Sequence, residues 1–262
     1  MSRVSIGKLM TSKRSLILSY DQGMEHGPAV FNIDTVNPNF VLDIALEGNY
    51  NGIVLHHGVA EKYYGRFYNE VPLIIKLNGK SNMTRMNPIS RLVCSVDHAA
   101  KVGAAAVGYT IYDGSPAEPE MFSEFQKVIE QAHDYGMPVI AWMYARGPDI
   151  PDELRTDVLA YSARIGMELG ADFVKLKYNY DPPGFKWVTQ CAGRTKVLVA
   201  DMNPGSDMEF LRRVAEVMNS GATGLAAGRN VWQHPEPLKL SRALRRVIFQ
   251  GATPEDAAKE LE

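Results

Sequence analysis

Residues 169–178 read Leu169-Gly170-Ala171-Asp172-Phe173-Val174-Lys175-Leu176-Lys177-Tyr178, a glycine followed at once by a strand-like run that carries two lysines. A glycine just past a helix end supplies the left-handed cap that stops the helix. The same junction recurs at Glu47-Gly48 before N-G-I-V-L, Val102-Gly103 before A-A-V-G-Y-T-I, Tyr135-Gly136 before P-V-I-A-W and Ser220-Gly221 before A-T-G-L-A-A-G. Adding S-L-I-L-S-Y at 15–20, P-L-I-I-K-L at 72–77 and K-V-L-V-A at 196–200 brings the strands to eight. Strands apolar on both faces and separated by helices belong to a parallel sheet. Eight βα units in 262 residues match a TIM (β/α)8 barrel. The competing doubly wound sheet is disfavoured, because no G-x-G-x-x-G follows a strand and no G-x-x-x-x-G-K-[ST] occurs.

Helices are expected over 119–135, 152–169 and 206–220; the first opens with a proline, and Ser206 and Glu209 have capping-box spacing at the start of the last. No Ser/Pro-rich linker divides the chain, so 1–262 reads as a single barrel domain, with the tail after Pro254 a short polar helix or a docking arm. A formal net charge of -2 without a basic block argues against nucleic acid as a partner. The two cysteines, Cys94 and Cys191, lack CxxC spacing and indicate neither a disulfide framework nor a cysteine zinc site. No apolar run reaches the roughly 18 residues of a membrane helix, so a soluble cytoplasmic protein without a membrane partner is expected.

Lys175 and Lys177 sit two residues apart and point to one face of their strand. A like charge and partial burial each push a lysine pKa down, and a lysine neutral near pH 7 attacks carbonyls. Taken alone the pair also fits a solvated, edge-protecting strand. In a barrel it faces inward, near the C-terminal strand ends where active sites of this architecture lie. Other strands end there in Tyr20-Asp21-Gln22-Gly23, Lys76-Leu77-Asn78-Gly79-Lys80, Trp142-Met143-Tyr144-Ala145-Arg146-Gly147 and Gly228-Arg229-Asn230.

A carbonyl-attacking lysine needs a partner that moves protons. Tyr144 is the candidate general acid/base and Asp21 the candidate to hold an ammonium or steer a substrate hydroxyl; packing for the tyrosine and a turn role for the aspartate are the plainer alternatives. Trp142 faces the same way as Tyr144 and forms an apolar wall of the pocket or packs in the core. His26, in E-H-G-P, contacts a ligand or stabilises its turn. Arg146 ends the fifth strand among the converging polar groups. Gly228 and Arg229 open the turn after the eighth strand, where backbone amides and a cation favour an anion. Only one of the adjacent pair His56-His57 can face the pocket, so no metal pair is expected there and the chemistry is expected to need neither metal nor cofactor.

Taken together, Y-D-Q-G-M-E-H-G-P, A-E-K-Y-Y, K-L-N-G-K, A-V-G-Y-T-I-Y, W-M-Y-A-R-G, V-K-L-K-Y and A-G-R-N-V-W-Q resemble the archaeal-type class I fructose-bisphosphate aldolases, the DhnA-like aldolase family, from about residue 13 to about residue 248. The resemblance implies reversible cleavage of a ketose bisphosphate into dihydroxyacetone phosphate and glyceraldehyde 3-phosphate through a Schiff base. It aligns the Schiff-base lysine with Lys175, the catalytic tyrosine with Tyr144, the aspartate with Asp21 and the substrate-flanking tryptophan with Trp142. That leaves Lys177 as an electrostatic neighbour of the nucleophile. It further implies a homo-oligomer, often a decamer.

One stretch departs. Where the family carries a Ser-Gly-Gly type turn for the C1 phosphate, this chain has Ala200-Asp201-Met202-Asn203-Pro204-Gly205. Either Asp201 points away and Gly205-Ser206 holds the phosphate, or the donor is another ketone, such as a deoxy-keto sugar phosphate or an unphosphorylated one. A barrel that binds sugar phosphates without chemistry is the alternative from another class.

Overall fold

The computed structural model describes residues 4–83, 88–200, 202–203 and 205–262. Eight parallel strands close into a barrel: β1 (Ser15–Ser19), β2 (Gly52–Leu55), β3 (Leu73–Lys76), β4 (Ala106–Ile111), β5 (Val139–Met143), β6 (Phe173–Lys177), β7 (Lys196–Ala200) and β8 (Gly224–Ala227). Each pairs with its neighbour in sequence, and β8 returns to β1 through Ser15↔Gly224 to Leu18↔Ala227. Helices follow the strands and cover the outside. No helix among the described residues is long and apolar enough to cross a membrane.

Side chains alternate across each strand, and that alternation builds the site. Ile17, Val54, Ile74, Ala106, Ile140, Phe173, Leu198 and Ala226 point inward and pack as one apolar cluster. The N-terminal 3₁₀ turn Ile6–Leu9 closes the barrel from below, with Leu9 fully buried in that cluster and its carbonyl accepting from the Ser15 hydroxyl at 2.7 Å. Two residues further along the same strands stand Lys76, Trp142 and Lys175. Two further still come Lys177, Tyr144 and Thr110's level, so the interior turns from apolar to polar towards the C-terminal ends.

The glycine punctuation holds at Gly103, Gly136, Gly170 and Gly221, which all take left-handed φ. The first junction differs. Gly48 stays right-handed at φ -75 and Asn49 takes φ 50 instead. Glycine is needed at 48 for space, since a Cβ there would stand 2.7 Å from both the Ile44 carbonyl and the Tyr50 ring.

The three expected helices run Glu118–Asp134, Thr156–Glu168 and Asp207–Asn219, the last with both halves of the Ser206/Glu209 capping box. The middle one starts later than the sequence indicates. Asp152 accepts the Leu154 amide at 2.8 Å in a local turn, and such side-chain bonding competes with helix. Glu153 is thereby left on a loop facing Lys177. A two-residue ribbon, Asn78–Gly79 with Arg91–Leu92, is an addition the strand pattern did not reveal. The tail is docked: Thr253 caps the helix Pro254–Ala258, Ala257 is fully buried and Arg246 reaches Glu260.

Candidate active site

At the C-terminal ends of the strands a cleft of about 290 Å³ is lined by Asp21, Gln22, Glu25, His26, Lys76, Asn82, Thr110, Tyr112, Trp142, Tyr144, Arg146, Lys175, Lys177 and Arg229. All three expected catalytic residues meet there, together with Trp142, His26, Arg146, Lys177 and Arg229. Gly228, Gly205 and Ser206 do not line it.

Lys175 is 4% exposed, and the register sets it beside Trp142. Its Nζ stands 5.3 Å from the centre of the indole ring, as does the Nζ of Lys76. The ring fits because the facing position on β4 is Gly108, where a Cβ would overlap the indole. Glycine inside a strand commonly marks such close approach. The Trp142 N–H, the Thr110 hydroxyl and the Gln22 carbonyl oxygen are buried without a partner among the described residues. A buried polar group left alone is costly, so these atoms fit a site shaped for a polar ligand.

The ammonium that shares Lys175's surroundings belongs to β3. Lys76 is 2% exposed, with its Nζ 3.8 Å from Asp21 Oδ2 and 3.9 Å from Glu25 Oε1. Burial pushes its pKa down, the two carboxylates offset part of that, and the charge of Lys175 pushes it down further. Burial would raise Asp21, but the charges of Lys76, Lys175 and His56 prevail and hold the carboxyl below its ordinary range. Asp21 occupies the N-cap position of the helix Gln22–His26 without capping it, so its carboxylate serves the cleft and not the turn. His56, at the end of β2, is pushed down to about 4 by burial and the charge of Lys76.

Lys177 lines the cleft but is not the neighbour that the strand spacing implied. Its Nζ is 2.5 Å from Glu153 Oε1, while the other oxygen of Glu153 lies 3.8 Å from Arg146 Nε. Engaged by a carboxylate, it adds little unbalanced charge near Lys175. The like-charge pair therefore lies across the barrel, Lys76 with Lys175. The signal for Lys76 was present in P-L-I-I-K-L, a lone charge in a run otherwise buried.

Tyr144 stands next along β5 after Trp142. The Arg146 guanidinium lies 5.5 Å and the Lys177 ammonium 5.8 Å from its ring centre. Arg146 also stands 5.4 Å from the Tyr112 ring. Asn78 fixes the floor, receiving the Thr110 amide at 2.7 Å and donating to the Thr110 carbonyl at 2.8 Å. On the opposite rim Arg229 begins the turn after β8; a Cβ at Gly228 would stand 2.7 Å from the Gln22 amide nitrogen, so glycine admits Gln22 to the wall. Cations outnumber carboxylates around the cleft, which suits an anionic ligand.

Asp201 lies outside the described residues. Its neighbours are turned to internal tasks: the Asn203 amide donates to the Tyr180 hydroxyl at 2.8 Å, the Gly205 amide to Asn203 Oδ1 at 3.3 Å and the Ser206 amide to Glu209 Oε2 at 2.8 Å. The Ser206 hydroxyl belongs to the capping box. Gly205 and Ser206 are thus committed to starting their helix, and a carboxylate stands where an anion would sit. Asn230 Nδ2 donates to the Met202 carbonyl at 2.6 Å and ties this loop to the turn that carries Arg229.

Comparison with known proteins agrees with this geometry. Residues 15–234 match the family described as DeoC/LacD family aldolase. The chain is 43% identical over 241 residues to a class 1 fructose-bisphosphate aldolase of Thermoproteus tenax, covering 91% of this chain and 90% of that one. It is 40% identical over 244 residues to one of Halobacterium salinarum, covering 92% and 93%. An archaeal fructose-1,6-bisphosphate aldolase, solved with its catalytic lysine covalently bound to the carbinolamine intermediate, superposes with a TM-score of 0.88 at 40% identity, over 93% of this chain and 98% of that one. With a closed eight-stranded barrel, a buried lysine in a cationic cleft and these relatives, the chain belongs to the DeoC/LacD family of aldolases.

Proposed function

We propose that the protein is a class I aldolase that cleaves fructose 1,6-bisphosphate reversibly through a Schiff base on Lys175. The observation that carries this is the buried Lys175 amine, set against Trp142 in a cleft that also holds Lys76, Asp21 and Tyr144. The uncharged amine attacks the C2 carbonyl of the open-chain sugar; the carbinolamine loses its hydroxyl as water and becomes an iminium. Tyr144 is the proton donor for that departure and the acceptor for the C4 hydroxyl proton when the C3–C4 bond breaks. The electron pair of that bond passes into an enamine as C4 leaves as the aldehyde of glyceraldehyde 3-phosphate; the proton held by Tyr144 returns to C3, and water hydrolyses the resulting iminium to release dihydroxyacetone phosphate and the free amine. Asp21, held ionised by Lys76, orients substrate hydroxyls. Arg229 serves one phosphate, and Arg146, Lys177 and His26 serve the other.

A second donor class has one observation in its favour. The amides at Asn203, Gly205 and Ser206 are engaged within the protein, which leaves Arg229 as the cation for a C1 phosphate and weakens the case for tight C1-phosphate recognition. Borohydride trapping with dihydroxyacetone phosphate and with unphosphorylated dihydroxyacetone, followed by peptide mapping, tests both. An adduct on Lys175 with the phosphorylated donor is expected. An adduct on Lys76 or Lys177 reassigns the nucleophile, preference for the unphosphorylated ketone favours the second donor class, and no adduct with either sinks the aldolase reading.

A cytoplasmic location and assembly into a homo-oligomer belong to the same proposal. Ile33 at 86% and Val36 at 53% exposure leave an apolar surface that a second copy would cover; light scattering in solution measures the stoichiometry.

A further inference from the structure

His57 opens the helix His57–Tyr63 after β2, and Glu61 follows four residues later on the same helical face. His98 comes from the helix Val96–Lys101, which follows β3 and its ribbon. The fold brings the three side chains together. Glu61 Oε1 lies 3.4 Å from His57 Nδ1 and 2.5 Å from His98 Nε2, and the two imidazole rings stand 5.4 Å apart at 83°. All three ligand atoms lie within 4.8 Å of one another, and no other such group occurs among the described residues.

Two imidazoles and one carboxylate at this separation match the demands of a borderline divalent cation. Ligand bonds of about 2.0–2.2 Å in a tetrahedron set neighbouring donors roughly 3.4 Å apart. His57 and Glu61 already stand at that distance. His98 and Glu61 must open by roughly an ångström, which their freedom permits, since each is more than two-fifths exposed. The N₂O set selects zinc, nickel, cobalt or copper over magnesium and calcium, which prefer oxygen cages. A hydrogen bond already links His98 to Glu61 across the two helices. Three protein ligands at an open surface leave a position for water. None of the three lines the aldolase cleft.

We propose that His57, Glu61 and His98 form a surface site for a divalent cation of the zinc type, clamping the helix after β2 to the helix after β3. The clamp spans two adjacent βα units and is independent of the Lys175 chemistry. Occupancy stabilises the folded chain, because a ligand bound only by the native state raises the melting temperature as its concentration rises.

The test titrates zinc chloride into the full-length, chelator-stripped protein by calorimetry, with melting curves in zinc and again in excess chelator. One zinc per chain is expected, with a melting temperature that rises with zinc and falls back on chelation. His98→Ala and Glu61→Gln are each expected to weaken binding by more than the roughly 10- to 100-fold that loss of an outer partner costs a metal site, and to abolish the thermal shift. Cys94→Ser, the control for thiol binding, leaves both readouts unchanged. Absence of binding to the wild type overturns the proposal, as does unchanged affinity in Glu61→Gln and His98→Ala, or loss of the site in Cys94→Ser.

Discussion

Lys76 and Asp21 form a pair whose partners each depend on the other. Breaking a buried ion pair from one side costs about 3–5 kcal/mol, because it strands the other charge. Lys76→Met is therefore expected to lose that order of stability in urea unfolding, and Asp21→Asn/Lys76→Met to lose clearly less than the sum of the single variants. Additive losses would mean the two do not interact. Asp113 makes a different case. Its carboxyl is 4% exposed, accepts from the Ser162 hydroxyl, and is raised by burial to about 6 from 3.8. The folded state thus holds this proton more tightly than the unfolded chain does. Its contribution is complete below the unfolded value and is lost as pH climbs through about 6. Two pH units correspond to about 3 kcal/mol at most, so Asp113→Asn is expected to gain up to that much on the wild type between pH 4 and pH 7, measured as the difference of denaturation midpoints. Parallel pH profiles would remove the effect. These residues mark the limit of reading from sequence. The meeting of Lys175, Tyr144 and Asp21 in one cleft was legible because strand ends and motif order place them there. The pairing of Lys175 with Lys76, and of Lys177 with Glu153, depends on which inward positions of different strands meet, and no local pattern carries that.

The elements themselves were legible because their signals are local. All eight strands and the three named helices follow from apolar runs, cap residues and glycine junctions. The misses were local contests won by side chains: Asn49 took the left-handed turn at the first junction, and Asp152 bonded the Leu154 amide and delayed its helix. Gly108 shows what a strand pattern cannot disclose, since the reason for it stands on the next strand. Gly108→Ala drives a methyl into the Trp142 ring, and overpacking of this kind costs about 1–3 kcal/mol. The variant is expected to unfold earlier and to turn over more slowly, while Gly108→Ala/Trp142→Phe recovers part of the stability without the activity. Unchanged melting and turnover in Gly108→Ala would show that the indole does not depend on that space. The seventh loop was the least legible part: of its two alternatives, phosphate binding at Gly205-Ser206 competes with the Asn203 and Glu209 side chains that already engage those two amides.

In the whole molecule, β1 and β8 are neighbours although the length of the chain separates them. An unclosed sheet exposes two edges, and a barrel loses them only when its last strand arrives. Deleting 222–262 removes β8 and uncovers β1 and β7. The full chain is expected to unfold in one cooperative calorimetric transition and the truncated chain to show none; a cooperative transition in the truncated chain would mean that the barrel is built from separable parts. The Trp142 indole has a further use that follows from its surroundings. It is one of three tryptophans. Trp187 is exposed, and Trp232 is sealed away with its N–H on the Ser19 carbonyl at 3.0 Å. Two amines stand 5.3 Å from the Trp142 ring, and one of them is the proposed nucleophile. An aromatic ring feels the field of a cation at that range, so covalent capture of a ketone changes the light this indole emits, and the cleft carries its own optical gauge of the reaction.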